Sequence, residues 1–356
     1  MKAGRWYMID NYTYKEEIEY TAKLDLPWYK LESKCILITG ASGLVGSYLV
    51  DVIMYKNLYD GLNCKIYAVG RNIEKARKRF NEYFGTEYFE FISQDINLPF
   101  EIESTNVLDY MIHMASNTHP VAYATDPIGT ITANIIGTNN LLELAVKYHS
   151  ERFLFASSNE IYGENRGDVE LFDEEYCGYI NSNTVRAGYP ESKRCGEALC
   201  QAYKKQKELD IVIARLTRSY GPTMLMEDTK AISQFIKKGI AGEDIVLKSA
   251  GTQYYSYTHV ADAVSGILTV LLLGESGEAY NIADEASDIM LKDLAMLVAE
   301  NVGKKVVFDL PDDIERSGYS TATKARLNGK KLEKIGWRAR YDIKTGIKKT
   351  LEILKE

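Results

Sequence analysis

Cys35-Ile36-Leu37-Ile38-Thr39-Gly40-Ala41-Ser42-Gly43-Leu44-Val45-Gly46 is the stretch that decides the fold of this 356-residue chain. Its first five residues are apolar and β-branched without alternation, the pattern of a strand buried on both faces. Gly40, Gly43 and Gly46 then form a G-x-x-G-x-x-G loop. Behind it Leu44, Val45, Tyr48, Leu49, Val52 and Ile53 recur at helical spacing. Glycines let a backbone turn tightly and approach a pyrophosphate with no Cβ in the way. The helix start behind them offers free N–H groups and a positive dipole end. With a strand before and a helix after, the loop reads as a dinucleotide cradle made of Gly40, Ser42, Gly43, Leu44, Val45 and Gly46.

Outward from this unit the same alternation continues. Strands are expected over Lys65–Gly70, Phe89–Ser93, Tyr110–Met114, Arg152–Ser157 and Ile211–Leu216, and helices over Ile73–Tyr83, Ile128–Tyr148 and Tyr189–Lys207. Alternating strands and helices imply an α/β, doubly wound parallel sheet, the Rossmann arrangement. After Leu216 the alternation becomes irregular, with one more helix at Val260–Leu273 and a strand at Ala279–Ala283. The division expected is an N-terminal extension (1–33), an NAD(P)-binding domain (34–216, with 253–273 returning to it), and a smaller C-terminal substrate lobe (217–252 and 274–356). Within the extension, the polar stretch Tyr14–Leu24 reads as an accessory helix packed on the body, ended by Pro27 and Trp28.

Composition narrows the function. The chain is 46% hydrophobic and 26% charged, as ordinary globular proteins are, and long enough to bury a core without disulfides. Its five cysteines make no C-x-x-C pair and read as small buried hydrophobes of a cytoplasmic protein. No apolar run approaches ~18 residues, so no membrane span is expected. Lys2, Arg5 and Trp6 open the chain with no apolar core after them, unlike a secretion signal. A net charge of −7 argues against nucleic acid as a partner. One locally basic run, Lys324, Arg326, Lys330, Lys331, Lys334, Arg338 and Arg340, reads as a solvated helical face.

At the carboxyl edge of the sheet, further residues face the cofactor. The second strand ends in Val69-Gly70-Arg71-Asn72, where an acidic residue would hold the ribose 2′-OH of NAD. Arg71 stands there instead. A guanidinium binds a 2′-phosphate or stacks on adenine, or it simply begins a surface helix. Asp95 and Ile96 follow the third strand, on the adenine side. Met114, Ala115 and Ser116 follow the fourth, after His113, which reads as structural. No residue cluster suggests a metal.

Tyr189 and Lys193 lie one helical turn apart on one face. A lysine cation ~5 Å from a phenol, at an effective dielectric of ~20, favours phenolate by about 3 kcal/mol. That is roughly two pKa units, enough to bring tyrosine from ~10 toward neutrality. Such a phenolate takes a proton from a hydroxyl while the carbon's hydride leaves. Tyr203 and Lys207 repeat the spacing 14 positions on, about 21 Å along the helix, so only one pair serves one nicotinamide. Tyr189 begins its helix, with Pro190 in the first turn, and is the pair chosen. Ser158, after the fifth strand, is placed to hydrogen-bond the reacting oxygen. Glu160 is either a second acid/base or a solvated loop carboxylate.

Taken together, Gly40/Gly43/Gly46, His113-Met-Ala, Ser158…Tyr162-Gly163 and Tyr189/Lys193 resemble the extended short-chain dehydrogenases of the NAD-dependent epimerase/dehydratase family, which act on nucleotide sugars. The likeness runs from residue 34 to about 350 and includes Arg215-Leu-Thr-Arg-Ser-Tyr-Gly221-Pro222, Thr258-His-Val-Ala-Asp262 and Gly336-Trp337. UDP-glucuronate decarboxylases and dTDP-glucose 4,6-dehydratases are the nearest in pattern. Arg186-Ala-Gly-Tyr189-Pro-Glu-Ser-Lys193-Arg194 resembles the decarboxylase catalytic helix. Four departures stand out. Asn159 replaces the acid of the dehydratase Thr-Asp-Glu. Thr223 stands where decarboxylases carry an arginine, Tyr254 where an arginine holds the diphosphate, and Arg218 where an asparagine is usual.

The resemblance implies an enzyme that transiently oxidises C4 of a nucleotide-linked hexose with bound NAD(P). Tyr189 would be the base, Lys193 its tuner and ribose ligand, and Ser158 the support for O4. Glu160 would act at C5 or contact the sugar, and Asn159, Arg218 and Tyr254 would bind substrate. A lyase of the dehydratase/decarboxylase type is expected, with a 4-epimerase and an NADPH-dependent ketone reductase as alternatives. Arg71 tilts the cofactor to NADP, the family likeness to NAD. The helices 128–148 and 189–207 are expected to form a homodimer interface.

Overall fold

The structure is a computed structural model that describes residues 11–105, 107–118, 120–309 and 323–356. Lys2, Arg5 and Trp6, and part of the 274–356 lobe, lie outside the described residues. Seven strands form one parallel sheet: β1 (Cys35–Thr39), β2 (Lys65–Gly70), β3 (Phe89–Ser93), β4 (Tyr110–His113), β5 (Arg152–Ser158), β6 (Ile211–Leu216) and, later in the chain, Ala279–Ile282. Their order is Ala279–Ile282, β6, β5, β4, β1, β2, β3, every pair parallel. The strand order reverses at β1, so the carboxyl ends of β1 and β4 flank the crevice where such sheets take ligands.

β1 shows why the run is apolar without alternation. Ile36 and Ile38 join one core cluster and Leu37 the other, and all three are wholly buried. On the first face pack α1 (Tyr12–Ala22), α2 (Leu44–Asp60), α3 (Ile73–Phe80) and the later helix Val260–Leu273; α5 (Pro127–Lys147) and α6 (Gly188–Lys207) lie on the second. Between α3 and α5 runs the short α4 (Pro120–Thr125). The third helix stops three residues before its expected end. Tyr83 N–H donates to the Phe80 carbonyl, and this tighter turn carries Tyr83 into the cluster with Phe80 and Phe89.

The N-terminal helix is built into the body. Asn11 caps it, its Oδ1 accepting from Tyr14 N–H at 2.7 Å. Tyr14, Ile18 and Ala22, at helical spacing, are wholly buried. Tyr14 OH donates to Asp51 on α2 at 2.5 Å, and Asp51 also holds Arg79 and Tyr83.

Past β6 a smaller lobe has its own core, around Phe235, Leu294 and Ile347. A four-stranded sheet joins β7 (Arg218–Tyr220), Tyr254–His259, Asp288–Met290 and Lys324–Ala325, and a two-stranded one joins Ile245–Leu247 to Val306–Phe308. Tyr254–His259 is hydrogen-bonded within the small sheet, while the helix after it packs on the large one.

The basic run 324–340 is not one helical face. Lys324 is in a strand, Lys330, Lys331 and Lys334 are in a short helix, and Arg338 and Arg340 follow it. Each long side chain that pairs finds a different element: Arg326 pairs with Glu170, Lys331 with Glu278, and Arg340 stacks on Tyr20. The cysteines also differ from expectation in one case. Cys64 and Cys200 are buried and Cys35 and Cys195 partly so, but Cys177 is exposed; all five are free thiols.

Candidate active site

The glycine loop is held by close backbone contacts. Gly40 has φ +69°, a conformation L side chains rarely adopt, and a Cβ there would lie 2.9 Å from Ala115 N and the Met114 carbonyl. On Gly46 it would lie 2.3 Å from the Gly40 carbonyl. Both glycines are therefore required by the approach of backbone to backbone. Thr39 locks the partner loop: its Oγ1 accepts from Met114 N–H (3.1 Å) and Ala115 N–H (3.2 Å). That leaves its own proton for His113 Nδ1 at 2.8 Å, so His113 Nε2–H donates to Thr138 Oγ1 at 3.0 Å, and Thr138 donates to the Asn134 carbonyl at 2.6 Å. Burial holds the ring well below the ordinary histidine pKa, so it stays neutral in this chain of bonds.

Arg71 is exposed at the end of β2. Ser42 lies nearby: a Cβ on Gly70 would be 3.7 Å from its Oγ. Asp95 Oδ1 accepts from Asn97 N–H at 2.9 Å and shapes the turn after β3. Ile96 is anchored on α5, its carbonyl taking Asn140 Nδ2 at 2.9 Å and its side chain filling the space over Gly137. Leu44 carries a link no motif announced: its carbonyl accepts from Thr223 Oγ1 of the small lobe at 2.7 Å. The loop, the ends of β2–β4 and the small lobe thus meet at one edge.

At the same edge β5 ends in Ser158, and Glu160 follows in a 3-10 turn (Asn159–Tyr162). Tyr189, in the first turn of α6, is 7% exposed, and Ser158 is among the groups that act on its phenol. Lys193, one turn on, is also buried, and its Nζ donates to the Ala156 carbonyl at 2.8 Å. This departs from the expected tuning of Tyr189 by Lys193. Burial and then the Glu160 charge push the Tyr189 phenol up to about 12, with Ser158 and Arg186 opposing, while burial brings Lys193 down to about 8. With its ammonium turned to a backbone carbonyl, Lys193 is not poised on the phenol. Tyr203, the rival, is on the outer side of α6, bonded to Asn139 and Glu143 of α5.

Two residues given no role from sequence complete the cluster. The Tyr123 ring, from α4, stacks on Tyr189 at 4.7 Å and 28°. The Arg186 guanidinium lies 4.8 Å from the Tyr123 centroid, and its Nη2 donates to both Glu160 oxygens, at 2.8 and 2.7 Å. Tyr123 is one of 26 tyrosines and carries no local signal. Arg186, by contrast, sits inside the quoted catalytic-helix pattern. Among the substrate candidates, Asn159 is buried. Arg218 lies 3.5 Å over the Tyr255 ring, its Nη1 buried without a hydrogen-bond partner. Tyr254 has one face covered by Arg326 at 4.6 Å. Among the described residues no group of three His, Cys, Asp or Glu side chains is placed to hold a metal, and no helix is long and apolar enough to cross a membrane.

The chain belongs to the NAD dependent epimerase/dehydratase family, whose model matches residues 36–283. It is thus an NAD-dependent enzyme, on a fold its family uses for epimerases and dehydratases. It is 33% identical to UDP-glucuronic acid decarboxylase 1 of Xenopus tropicalis over 91% of this chain and 73% of that one. Against UDP-glucuronic acid decarboxylase 6 of Arabidopsis thaliana it is 31% identical over 88% and 86%. Solved structures share the fold. A double mutant of the dTDP-glucose 4,6-dehydratase DesIV of Streptomyces venezuelae, with NAD bound, superposes with TM-score 0.76 at 22% identity over 90% of this chain and 97% of that one. The UDP-glucuronic acid 4-epimerase of Bacillus cereus, in complex with UDP-glucuronic acid and NAD, does so with TM-score 0.75 at 20% identity over 90% and 99%.

Proposed function

We propose that this enzyme oxidises C4 of a nucleotide-linked hexuronic acid, releases CO₂ from C5 and reduces C4 again; its relatives are named UDP-glucuronic acid decarboxylases. The observation that carries this reading is the buried Tyr189, stacked on Tyr123 and one turn from the buried Lys193, at the end of the sheet where the glycine loop lies. The glycine loop and its neighbours would hold NAD, which when bound would supply the hydride acceptor and donor for C4. The glycine loop holds the pyrophosphate. Arg71, Asp95 and Ile96 line the adenosine end, and Met114, Ala115 and Ser116 the nicotinamide side. Lys193, now on the Ala156 carbonyl, would bind the ribose and Tyr189 once the cofactor is held.

Ser158 steadies O4 while Tyr189 takes its proton. The C4 ketone so formed is β to the C6 carboxylate. The C5–C6 bond then breaks, its electron pair passing to C5 and O4 as CO₂ leaves, and C5 takes a proton. No general acid is needed for the leaving group. Dehydration would need one, and the residues at hand do not suit it: Asn159 carries no titratable proton, and Glu160 is engaged by Arg186. Asn159, Arg218 and Tyr254 are assigned to the substrate, and the small lobe to the nucleotide.

The finer features of the same reading are a cytoplasmic homodimer, paired through α5 and α6, and division into a cofactor domain (34–216 with 253–273), a substrate lobe (217–252 and 274–356) and an N-terminal extension (1–33). Product analysis with UDP-glucuronic acid, UDP-glucose and dTDP-glucose tests the reaction. CO₂ release from the uronic acid is expected. A 4-keto-6-deoxy product, a C4 epimer of unchanged mass, or stoichiometric NADPH consumption would each replace this reading with a different one.

A further inference from the structure

The Glu160–Arg186 pair sits inside the protein, its side chains only 17% and 14% exposed, where charges are weakly screened. Four side chains act on the Tyr189 phenol: Glu160, Ser158, Arg186 and Tyr123. Ser158 comes from β5, Glu160 from the turn after it, Tyr123 from α4 and Arg186 from the 3-10 turn (Val185–Ala187) before α6. Lys193, on α6 itself, points to Ala156, and Tyr255, which feels the charges of Glu160 and Arg186, is stacked under Arg218. A carboxylate beside a phenol opposes loss of the phenol's proton, and a guanidinium on that carboxylate cancels the effect. Arg186 also reaches the phenol through Tyr123: its guanidinium lies 4.8 Å from the Tyr123 centroid, and that ring stacks on Tyr189 at 4.7 Å.

We propose that Arg186 is a positioning residue for the reaction: it cancels the Glu160 charge at the Tyr189 phenol and, through the Tyr123 ring, fixes the position of that phenol. The proposal rests on Tyr189 being the base. Arg186 uses Nη2 alone for both Glu160 oxygens, and its Nε is buried without a hydrogen-bond partner. A guanidinium placed for stability alone would engage more of its donors. This one is aligned on Glu160 and Tyr123 at the expense of Nε.

The test is the pH–rate profile with UDP-glucuronic acid and NAD for wild type, Arg186→Met, Glu160→Gln and the double variant. Arg186→Met is expected to move the acid limb up by about 1–2 pH units, leaving Glu160 uncompensated. The double variant is expected to bring the limb back near wild type. A uniform loss of rate at every pH, with no return in the double variant, would overturn the proposal. Where turnover is too low to follow, phenolate absorbance of each variant minus its Tyr189→Phe counterpart is titrated instead, and the same order of midpoints must appear. Tyr189→Phe is the control on the reading beneath: full activity in that variant overturns both, whereas an inactive Tyr189→Phe with an unmoved limb overturns only the role of Arg186.

Discussion

Glu17 Oε1 lies 3.9 Å from His259 Nε2, and both side chains are wholly buried. Burial pushes the Glu17 carboxyl up from 4.5 to about 7 and the His259 ring down to about 3. Between those values both are neutral, so the contact is no ion pair. Because the folded carboxyl titrates above its unfolded value, the stability it contributes is whole below about pH 4.5 and is lost as pH rises through about 7. The loss is about 3 kcal/mol once complete. Glu17→Gln, neutral throughout, should be comparable to wild type at pH 4.5 and more stable than it at pH 8.5. Urea denaturation at both values measures this, and parallel profiles for the two proteins would show that Glu17 ionises freely.

Tyr189 and Tyr203 share a sequence pattern but not an environment. Tyr189→Phe should leave folding and NAD binding intact and lower turnover by ~10²–10⁴-fold, the scale of a lost acid/base. Tyr203→Phe gives up only bonds to Asn139 and Glu143 between two helices and should change turnover little. Steady-state rates for both variants decide it; equal impairment would mean the wrong tyrosine has been assigned.

Arg71 bears on the choice of cofactor. No acidic residue ends β2, so nothing there repels a 2′-phosphate, and an exposed guanidinium is free to pair with one. Stacked on adenine, it would serve NAD equally. Calorimetry on stripped protein separates the two: Arg71→Ala should weaken NADP by ~1–3 kcal/mol more than NAD if it holds the phosphate. Equal losses would leave it an adenine contact.

α5 leaves Ile128 75% and Ile136 45% exposed, and Val185, in the turn before α6, is 66% exposed. Covered by the same helices of a second copy about a two-fold axis, these side chains would leave water. Sedimentation at micromolar concentration should give the mass of a dimer, and Ile136→Glu should shift it toward monomer. A wild-type monomer under those conditions would reject the arrangement.

Much of this protein follows from its sequence alone. The limits of β1, β2 and β6 agree with the apolar runs, because a strand covered on both faces needs an unbroken run and polar residues end it, whereas the edge strand β3 alternates and buries only Phe89. Gly40 and Gly46 are legible for a similar reason: only glycine tolerates such backbone approach, so the chemistry is written in single residues. Tyr189 and Lys193 are one helical turn apart in any helix. Long-range choices are different. Periodicity tells which face of an element is buried but not what covers it. Tertiary packing selected Tyr123 to lie on Tyr189, joined Thr223 to Leu44 across 179 positions, and turned the Lys193 ammonium to Ala156. It also scattered the basic run 324–340 among separate carboxylates and rings, and closed Val260–Leu273 and the segment near Tyr341 over Glu17. In each case the partner lies on another element, and only the assembled core fixes which side chains share its space.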